Sequence, residues 1–226
     1  MRLYCFAHAG AGASAFAAWA TAAPDDIEIV AIQLPGRETR IAEPPLRSFA
    51  PAARAVSAAI CASADRRLAL FGHSAGARLA LQVAAHLEDA GSPPDHIFLS
   101  GADDRVRAPI HGLPGGAFRR SIRERYGNLP AQLTEDPTVW KVYERALRAD
   151  FEAIETAART PRRLAAPITV MFGNRDTVVD GNPEGWQAWS QQAIRYEVID
   201  ADHYSYRTAP LPYLRVVVRH LFGRLL

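Results

Sequence analysis

The sequence has 226 residues, 49% of them hydrophobic and 22% charged, which suffices for one globular unit built around a covered sheet. Lys and Arg number 26 against 24 acidic residues, a net charge of +2, so the composition argues against a nucleic-acid binder or a polybasic membrane anchor. The two cysteines, Cys5 and Cys61, provide neither a disulfide framework nor a Cys/His metal-ligand spacing.

The N-terminal residues do not resemble a signal peptide, because their apolar run is short and is interrupted by glycines. No stretch approaches the roughly 18 apolar residues of a membrane span. We therefore expect a cytoplasmic protein.

Short apolar runs that end in Gly or Asp alternate with helical patterns, which favours a parallel sheet with crossover helices. The predicted strands are Leu3–Phe6, Ile27–Ile32, Leu68–Phe71, Ile97–Ser100, Ile168–Phe172 and Tyr196–Ile199. The predicted helices are Ser14–Thr21, Ser48–Ala64, Ala75–Asp89 (with Gly91 as its C-cap), Glu184–Ala193 and Pro212–Leu225.

Residues 105–160 interrupt this alternation with two helical patterns, Ala117–Tyr126 and Pro137–Thr156, and contain no convincing strand. An insertion of this size between two strands is typical of a lid over a site, although a plain pair of crossover helices fits the pattern equally well. Because no repeat or linker divides the chain, we expect a single domain over residues 1–226 with a helical lid at about 105–160.

Arginines are concentrated in two stretches. We interpret both as solvated loop and helix faces. The alternative is a docking surface for an acidic partner. The residues are Arg37, Arg40 and Arg47 in the first stretch and Arg119, Arg120, Arg123 and Arg125 in the second.

The most informative motif is G-x-S-x-G at residues 72–76, directly after an apolar strand and directly before a helix. In this context the serine occupies a sharp strand-to-helix turn that exposes its hydroxyl, and the glycines keep side chains out of the turn. Ser74 is therefore the predicted nucleophile. The predicted fold class is α/β: an α/β-hydrolase fold with a mostly parallel sheet and helices on both faces.

A second glycine-rich segment, residues 6–12, follows the first strand. This fold requires a backbone N–H from that loop and another from the residue after the nucleophile to bind an oxyanion, and the candidates are Ala9 and Ala75. A dinucleotide or phosphate loop is the competing interpretation. It fails because the segment lacks G-x-G-x-x-G spacing and a Walker lysine, and Gln33 stands where an acidic residue would end the next strand.

The general base and its acid follow from the chain order Ser, Asp, His of this fold. His203 comes after the last strand and is the predicted base, ahead of the six other histidines. Asp176 follows the strand Ile168–Phe172 and is the leading acid. Asp103 and Asp104 are its rivals, with Asp180 as a weaker choice.

The sequence resembles type II thioesterases, the stand-alone editing hydrolases of polyketide and nonribosomal peptide synthesis. The similarity runs nearly end to end through collinear segments. These are FAHAGAGAS, AIQLPGRETRIAEPP, LFGHSAGARLAL, LSGADD, LRADFEAIET, PITVMFGNRD, EGWQAW and DADHYSY.

The resemblance implies a Ser74–Asp176–His203 triad with Ala9 and Ala75 as oxyanion donors, which places Asp176 ahead of Asp103 and Asp104. It also implies hydrolysis of acyl or aminoacyl groups from the phosphopantetheine arm of an acyl or peptidyl carrier protein. No metal or bound cofactor is expected, since that arm belongs to the substrate, and neither nucleic acid nor membrane is an expected partner.

Some features depart from the family pattern, including Ala75 in place of the usual Met and Ala201-Asp-His-Tyr204 in place of G-G-H-F. These changes bear on substrate preference. The same triad would also serve an acyltransferase, a cyclase or a carboxylesterase. A non-catalytic carrier-binding scaffold is a further alternative, which the intact motif disfavours.

Overall fold

A computed structural model of the protein describes residues 1–63, 66–103, 107–127, 135–157, 161–179 and 184–226. Six strands form one sheet in the order β2-β1-β3-β4-β5-β6, and every pairing between them is parallel. The strands are β1 (Arg2–Phe6), β2 (Glu28–Ala31), β3 (Leu68–His73), β4 (His96–Ser100), β5 (Ile168–Gly173) and β6 (Arg195–Ile199).

The sheet is covered on both faces because alternate residues of its strands point to opposite sides. In β1, Tyr4 and Phe6 enter one core and Leu3 and Cys5 the other. The first core takes α2 (Phe49–Ala62) and α3 (Ala75–Asp89), and the second takes α1 (Ala17–Ala22) and α6 (Leu211–Phe222). The predicted α/β architecture is confirmed.

Two of the helix ends show ordinary capping. The Ser48 side chain accepts a hydrogen bond from the N–H of Ala50 at 3.3 Å, which caps α2 at its N-terminus. Gly91 ends α3 in a left-handed conformation with φ +71°, and its N–H reaches the Glu88 carbonyl at 3.0 Å. This is the C-terminal role predicted for that glycine.

Two predicted helices differ from the structure. The segment Ser14–Thr21 is a 3-10 turn at Ala13–Phe16 that continues as α1. Glu184–Ala193 is shorter than predicted and forms a 3-10 helix at Glu184–Trp189. In the second case Trp186 and Trp189 are buried, and tertiary packing of large side chains overrides the weak helical pattern.

Between β4 and β5 the chain forms α4 (Gly115–Tyr126) and α5 (Pro137–Thr156). Their facing side chains build a third hydrophobic cluster that includes Phe118, Ile122 and Phe151. Asp136 caps α5, since its side chain accepts from the N–H of Thr138 at 2.7 Å. The helices lie where the insertion was predicted, and their role as a lid remains a prediction.

Candidate active site

Ser74 occupies a strained turn between β3 and α3. Its φ is +55° and its ψ is −116°, a region that non-glycine residues avoid and that persists only where the surroundings impose it. The turn is held by the Ser74 N–H, which donates to the carbonyl of Ser100 on β4 at 2.8 Å. The structure thus shows the sharp, constrained turn that the motif requires.

The two glycines of the motif are required by close backbone contacts. A Cβ on Gly72 would lie 2.4 Å from the carbonyl oxygen of Gly76. A Cβ on Gly76 would lie 2.1 Å from the carbonyl oxygen of Phe6, the last residue of β1. Neither space admits a methyl group, so the spacing of the motif is explained by packing as well as by its turn.

His203 and Asp176 form a buried pair at the same edge of the sheet. Nδ1 of His203 lies 2.8 Å from Oδ2 of Asp176, and the side chains are 4% and 2% exposed. The second oxygen, Oδ1, accepts from the N–H groups of Val178 at 2.8 Å and Val179 at 3.3 Å. Both carboxylate oxygens are therefore occupied, which fixes the orientation of the imidazole.

The loops that carry this pair are joined by backbone hydrogen bonds. The N–H of Asn174 donates to the carbonyl oxygen of Ile199 at 2.9 Å, and the N–H of Arg175 donates to the carbonyl oxygen of Ala201 at 3.0 Å. The ring of His203 lies 4.9 Å, between centroids, from that of His73, the residue immediately before Ser74. The structure thus brings the predicted acid and base together, with the base ring packed near the residue that precedes the predicted nucleophile.

The rival acids are placed differently. Asp103 is paired with Arg107 at 2.5 Å. Asp202, adjacent to the base in sequence, instead accepts from the N–H of Tyr204 at 2.8 Å and so closes its own turn. Asp104 and Asp180 lie outside the described residues.

The oxyanion candidates, Ala9 and Ala75, come from the two segments that meet at Gly76. Ala75 is the first residue of α3, so no earlier turn of the helix supplies a carbonyl for its N–H. Ala9 lies in a turn closed by the N–H of Ala11, which donates to the His8 carbonyl at 3.1 Å. Gly10 in that turn has φ +80°, as the third position of a type II turn requires.

An ion pair that the sequence analysis did not assign lies against this turn. Arg37 and Asp150 are joined by two hydrogen bonds of 2.7 and 2.8 Å, and their side chains are 5% and 4% exposed. Breaking such a buried pair by removing one partner costs about 3–5 kcal/mol. Both residues lie in segments that carried the family resemblance, and that resemblance was the one sequence signal that could have marked them as functional.

The interpretation of the first arginine stretch as a solvated face is therefore wrong for Arg37, which is buried. Arg40 pairs with Glu43 at 2.5 Å and Arg47 with Glu152 at 2.7 Å. Each arginine of that stretch is thus balanced by a carboxylate.

Two further histidines pack around the site without occupying the position of the base. Burial is the main cause that lowers the pKa of His8 to about 3, and positive charge at His203 acts in the same direction. Burial likewise lowers the pKa of His73 well below its usual value. His8 contacts the hydroxyl of Tyr206 at 2.6 Å, and His73 stacks on the same ring at 4.2 Å. Tyr206 thus links the glycine-rich loop, the nucleophile turn and the base loop.

A cavity of about 80 Å³ opens beside Ser74. Its apolar wall includes Phe151 and Ile154 of α5, and its polar wall includes Arg78 and Glu155. The inserted helices therefore form part of the chamber in which a substrate at Ser74 would be held. Among the described residues, no group of three or more His, Cys, Asp or Glu side chains could hold a metal ion.

The groups described above lie at the carboxyl edge of one parallel sheet, in the chain order Ser, Asp, His. This combination of fold and site is that of the α/β-hydrolases. A sequence model of the thioesterase domain matches residues 1–222, and the chain belongs to that family of enzymes acting on thioester bonds.

Individual relatives agree with this assignment. The chain is 31% identical to the gramicidin S biosynthesis protein GrsT of Aneurinibacillus migulanus over 201 residues, 86% of this chain and 77% of that one. It is 35% identical to the thioesterase PikA5 of Streptomyces venezuelae over 182 residues, 78% of this chain and 64% of that one.

A solved structure extends the comparison to the fold. The RedJ thioesterase from the prodiginine biosynthetic pathway of Streptomyces coelicolor superimposes with a TM-score of 0.83 at 32% identity. The superposition covers 96% of this chain and 83% of RedJ. The resemblance to type II thioesterases of polyketide and nonribosomal peptide biosynthesis is confirmed. Within the described ranges, no helix is both long enough and apolar enough to cross a membrane.

Proposed function

We propose that this enzyme hydrolyses acyl or aminoacyl groups from the phosphopantetheine arm of a carrier protein in polyketide or nonribosomal peptide synthesis. The observation that carries the proposal is the buried Asp176–His203 pair beside the strained serine turn. An imidazole whose Nδ1 is held by a carboxylate presents Nε2 to an incoming hydroxyl. A cytoplasmic location stays a prediction of the sequence.

The first half of the proposed reaction forms an acyl-enzyme. His203 takes the proton of Ser74, whose oxygen attacks the thioester carbonyl, and the resulting oxyanion accepts hydrogen bonds from the N–H groups of Ala9 and Ala75. The carbon–sulfur bond then breaks, and the proton held by His203 passes to the departing thiol. The arm leaves as a free thiol, and the acyl group remains as an ester of Ser74.

The second half repeats these roles with water. His203 takes a proton from water, the hydroxide attacks the Ser74 ester, and the same two N–H groups hold the second oxyanion. The carbon–oxygen bond of the ester breaks, and the proton returns to Ser74. The product is a free acid. The scheme uses only this chain's residues and water and requires no metal or bound cofactor.

A fluorophosphonate probe tests the nucleophile. We expect stoichiometric labelling of the wild type and none of Ser74→Ala. The matched control is Ser92→Ala, just beyond the other end of α3, which should label like the wild type. Labelling of Ser74→Ala at the wild-type rate would refute the proposed nucleophile.

Mass spectrometry of products from acyl-carrier substrates then tests the reaction. A free acid, formed with loss of the acyl group from the carrier, is the expected product. An ester or amide formed with an added alcohol or amine would instead indicate an acyltransferase. Faster turnover of simple oxygen esters than of acyl thioesters would indicate a carboxylesterase.

A further inference from the structure

Asp150 on α5 binds the glycine-rich loop at the peptide that follows Ala9. Its Oδ2 accepts a hydrogen bond from the N–H of Gly10 at 2.7 Å, while the same carboxylate is held by Arg37. Nη1 of Arg37 also donates to the carbonyl of Ala11 at 3.2 Å. A single buried ion pair therefore holds the loop at two consecutive residues after the candidate oxyanion donor.

The bond to Gly10 selects one conformation of the turn. Type I and type II turns differ mainly by a flip of their central peptide, which here joins Ala9 to Gly10. A carboxylate that receives the N–H of that peptide favours the orientation seen in the structure over the flipped one. The flip would change the ψ of Ala9 and the φ of Gly10, so the anchor fixes the peptide directly after the Ala9 N–H and restrains the loop that carries this donor.

The charge of the Asp150 carboxylate explains why it is paired with the Arg37 guanidinium. An isolated buried carboxylate this close to the loop would repel the negative charge that develops on the substrate oxygen. The bidentate contact with Arg37 neutralises it and leaves the hydrogen bond to Gly10 intact. Tyr143, about two turns before Asp150 on α5, packs on the same peptide, since a Cβ on Gly10 would meet its hydroxyl oxygen at 2.7 Å.

We propose that Arg37 and Asp150 are positioning residues for the oxyanion donor at Ala9. Because Asp150 is carried by α5, the donor is held in its working orientation only while that helix is docked on the loop. The inserted helical segment then controls catalytic geometry as well as the shape of the chamber. This inference rests on the proposed function, because it takes Ala9 as an oxyanion donor.

Asp150→Leu tests the proposal, because it removes the acceptor for the Gly10 N–H. The double variant Arg37→Met/Asp150→Leu removes both charges and keeps apolar volume in the core if the single variant fails to fold. Active sites are counted by titration with the fluorophosphonate probe. For each variant, kcat per active site should fall by about 30- to 100-fold, which approaches the decrease in kcat seen when an oxyanion donor is removed. KM should stay within about threefold, because the ground-state carbonyl gains little from the donor. Arg37→Met alone should be slower than the double variant, because it leaves the carboxylate uncompensated.

Inhibition by a pantetheine-linked trifluoromethyl ketone distinguishes a role of the ion pair in positioning the donor from a role in fold stability alone. This compound forms a tetrahedral adduct with an oxyanion, so its Ki should rise by the same factor as kcat falls. A purely structural role would lower the melting temperature and leave both quantities unchanged in the titrated, folded enzyme. Wild-type kcat and Ki in the folded double variant would overturn the proposal.

The matched control is Glu152→Gln on the same helix. Glu152 also pairs with an arginine of the first arginine stretch, Arg47 at 2.7 Å, and has no hydrogen bond to the glycine-rich loop among the contacts of the described residues. We expect its kcat and Ki to stay within twofold of the wild type. If Ser74→Ala still labels, the proposed function itself fails. If Ser74 is essential and the Asp150 variants behave as wild type, only this inference fails.

Discussion

Gly76, on the first turn of α3, lies against the carbonyl group of Phe6 at the end of β1, so closely that a Cβ on the glycine would be 2.1 Å from that oxygen. This contact joins the two backbone segments that carry Ala9 and Ala75. The distance between the candidate oxyanion donors therefore depends on the absence of a side chain at residue 76.

Gly76→Ala should consequently impair catalysis more than folding. The methyl group must push the glycine-rich loop away from α3, with an overpacking cost of about 1–3 kcal/mol and a displacement of one donor worth about 100-fold in kcat. Thermal unfolding and kcat per titrated site measure the two effects. Gly112→Ala is the control, since a Cβ there meets nothing within 4 Å. Wild-type turnover of Gly76→Ala would contradict the assignment of the two donors.

Asp176→Asn should lower kcat by roughly 10⁴-fold, because the amide no longer stabilises the imidazolium or selects the tautomer of His203. Asp103→Asn, which removes the pair with Arg107, should lower kcat by less than tenfold. Steady-state kinetics with an acyl-carrier substrate distinguishes the two carboxylates. Equal losses in the two variants would leave the orienting acid unassigned, and a larger loss at Asp103 would reverse the assignment.

Stability should decline on mild acidification because buried histidines are held neutral. Burial is the main cause that lowers the pKa of both His8 and His96 to about 3, whereas in the unfolded chain the value is about 6.5. Between these two pKa values the unfolded state binds protons that the folded state does not. Each histidine therefore lowers the free energy of unfolding by up to about 1.4 kcal/mol per pH unit as the pH falls below 6.5.

Urea unfolding from pH 7.5 to pH 5 measures this loss. His96→Gln should show a shallower decline than the wild type, because one of the linked histidines is gone. The substitution also changes packing and removes the 2.8 Å contact between His96 and Thr169. The free energy of unfolding of each protein at pH 7.5 measures this pH-independent effect and is the reference for the decline. Parallel declines in the two proteins would show that burial of His96 does not contribute to the pH dependence.

The second arginine stretch lies on α4, where Arg120 and Arg123 are exposed, and it is the better candidate for docking an acidic carrier protein. Arg120→Glu/Arg123→Glu should reduce kcat/KM for an acyl-carrier substrate about tenfold at low salt and less at high salt, since steering is screened. Turnover of a small acyl thioester should not change. Arg66→Glu/Arg67→Glu, directly before β3 and so at the amino edge of the sheet, is the control. Equal effects of the two variants, or equal effects on both substrates, would argue against docking on α4.

Much of the fold followed from local patterns. The strands were predictable because residues of a sheet covered on both faces form short continuous apolar runs, as in β3, where Leu68 to His73 are all buried. The helix end at Gly91 followed from a capping preference. The 3-10 helix at Glu184–Trp189 did not, since its conformation reflects where two indole rings find space in the core.

The site likewise contains residues that local sequence patterns predict and residues whose roles depend on tertiary contacts. Ser74, its glycines and the loop after β1 were predictable because the chemistry requires special backbone conformations, and such conformations restrict residue types within a few positions. Asp176 already led from its place after a well-formed strand, but Asp103 stayed a rival because two carboxylates after neighbouring strands give similar local signals, and the resemblance then placed Asp176 ahead. Their partners, His203 in one case and Arg107 in the other, became visible only in three dimensions.

By itself, then, the sequence determined the class of fold, the nucleophile turn and the order of the three triad candidates. The tertiary structure decided that Arg37 is buried rather than solvated, that Asp150 receives it, and that this pair holds the loop around Gly10. The two charged residues are 113 positions apart in the chain. Their pairing is a property of how α5 packs on the loops above the sheet, and no local pattern of residues encodes a contact of that range.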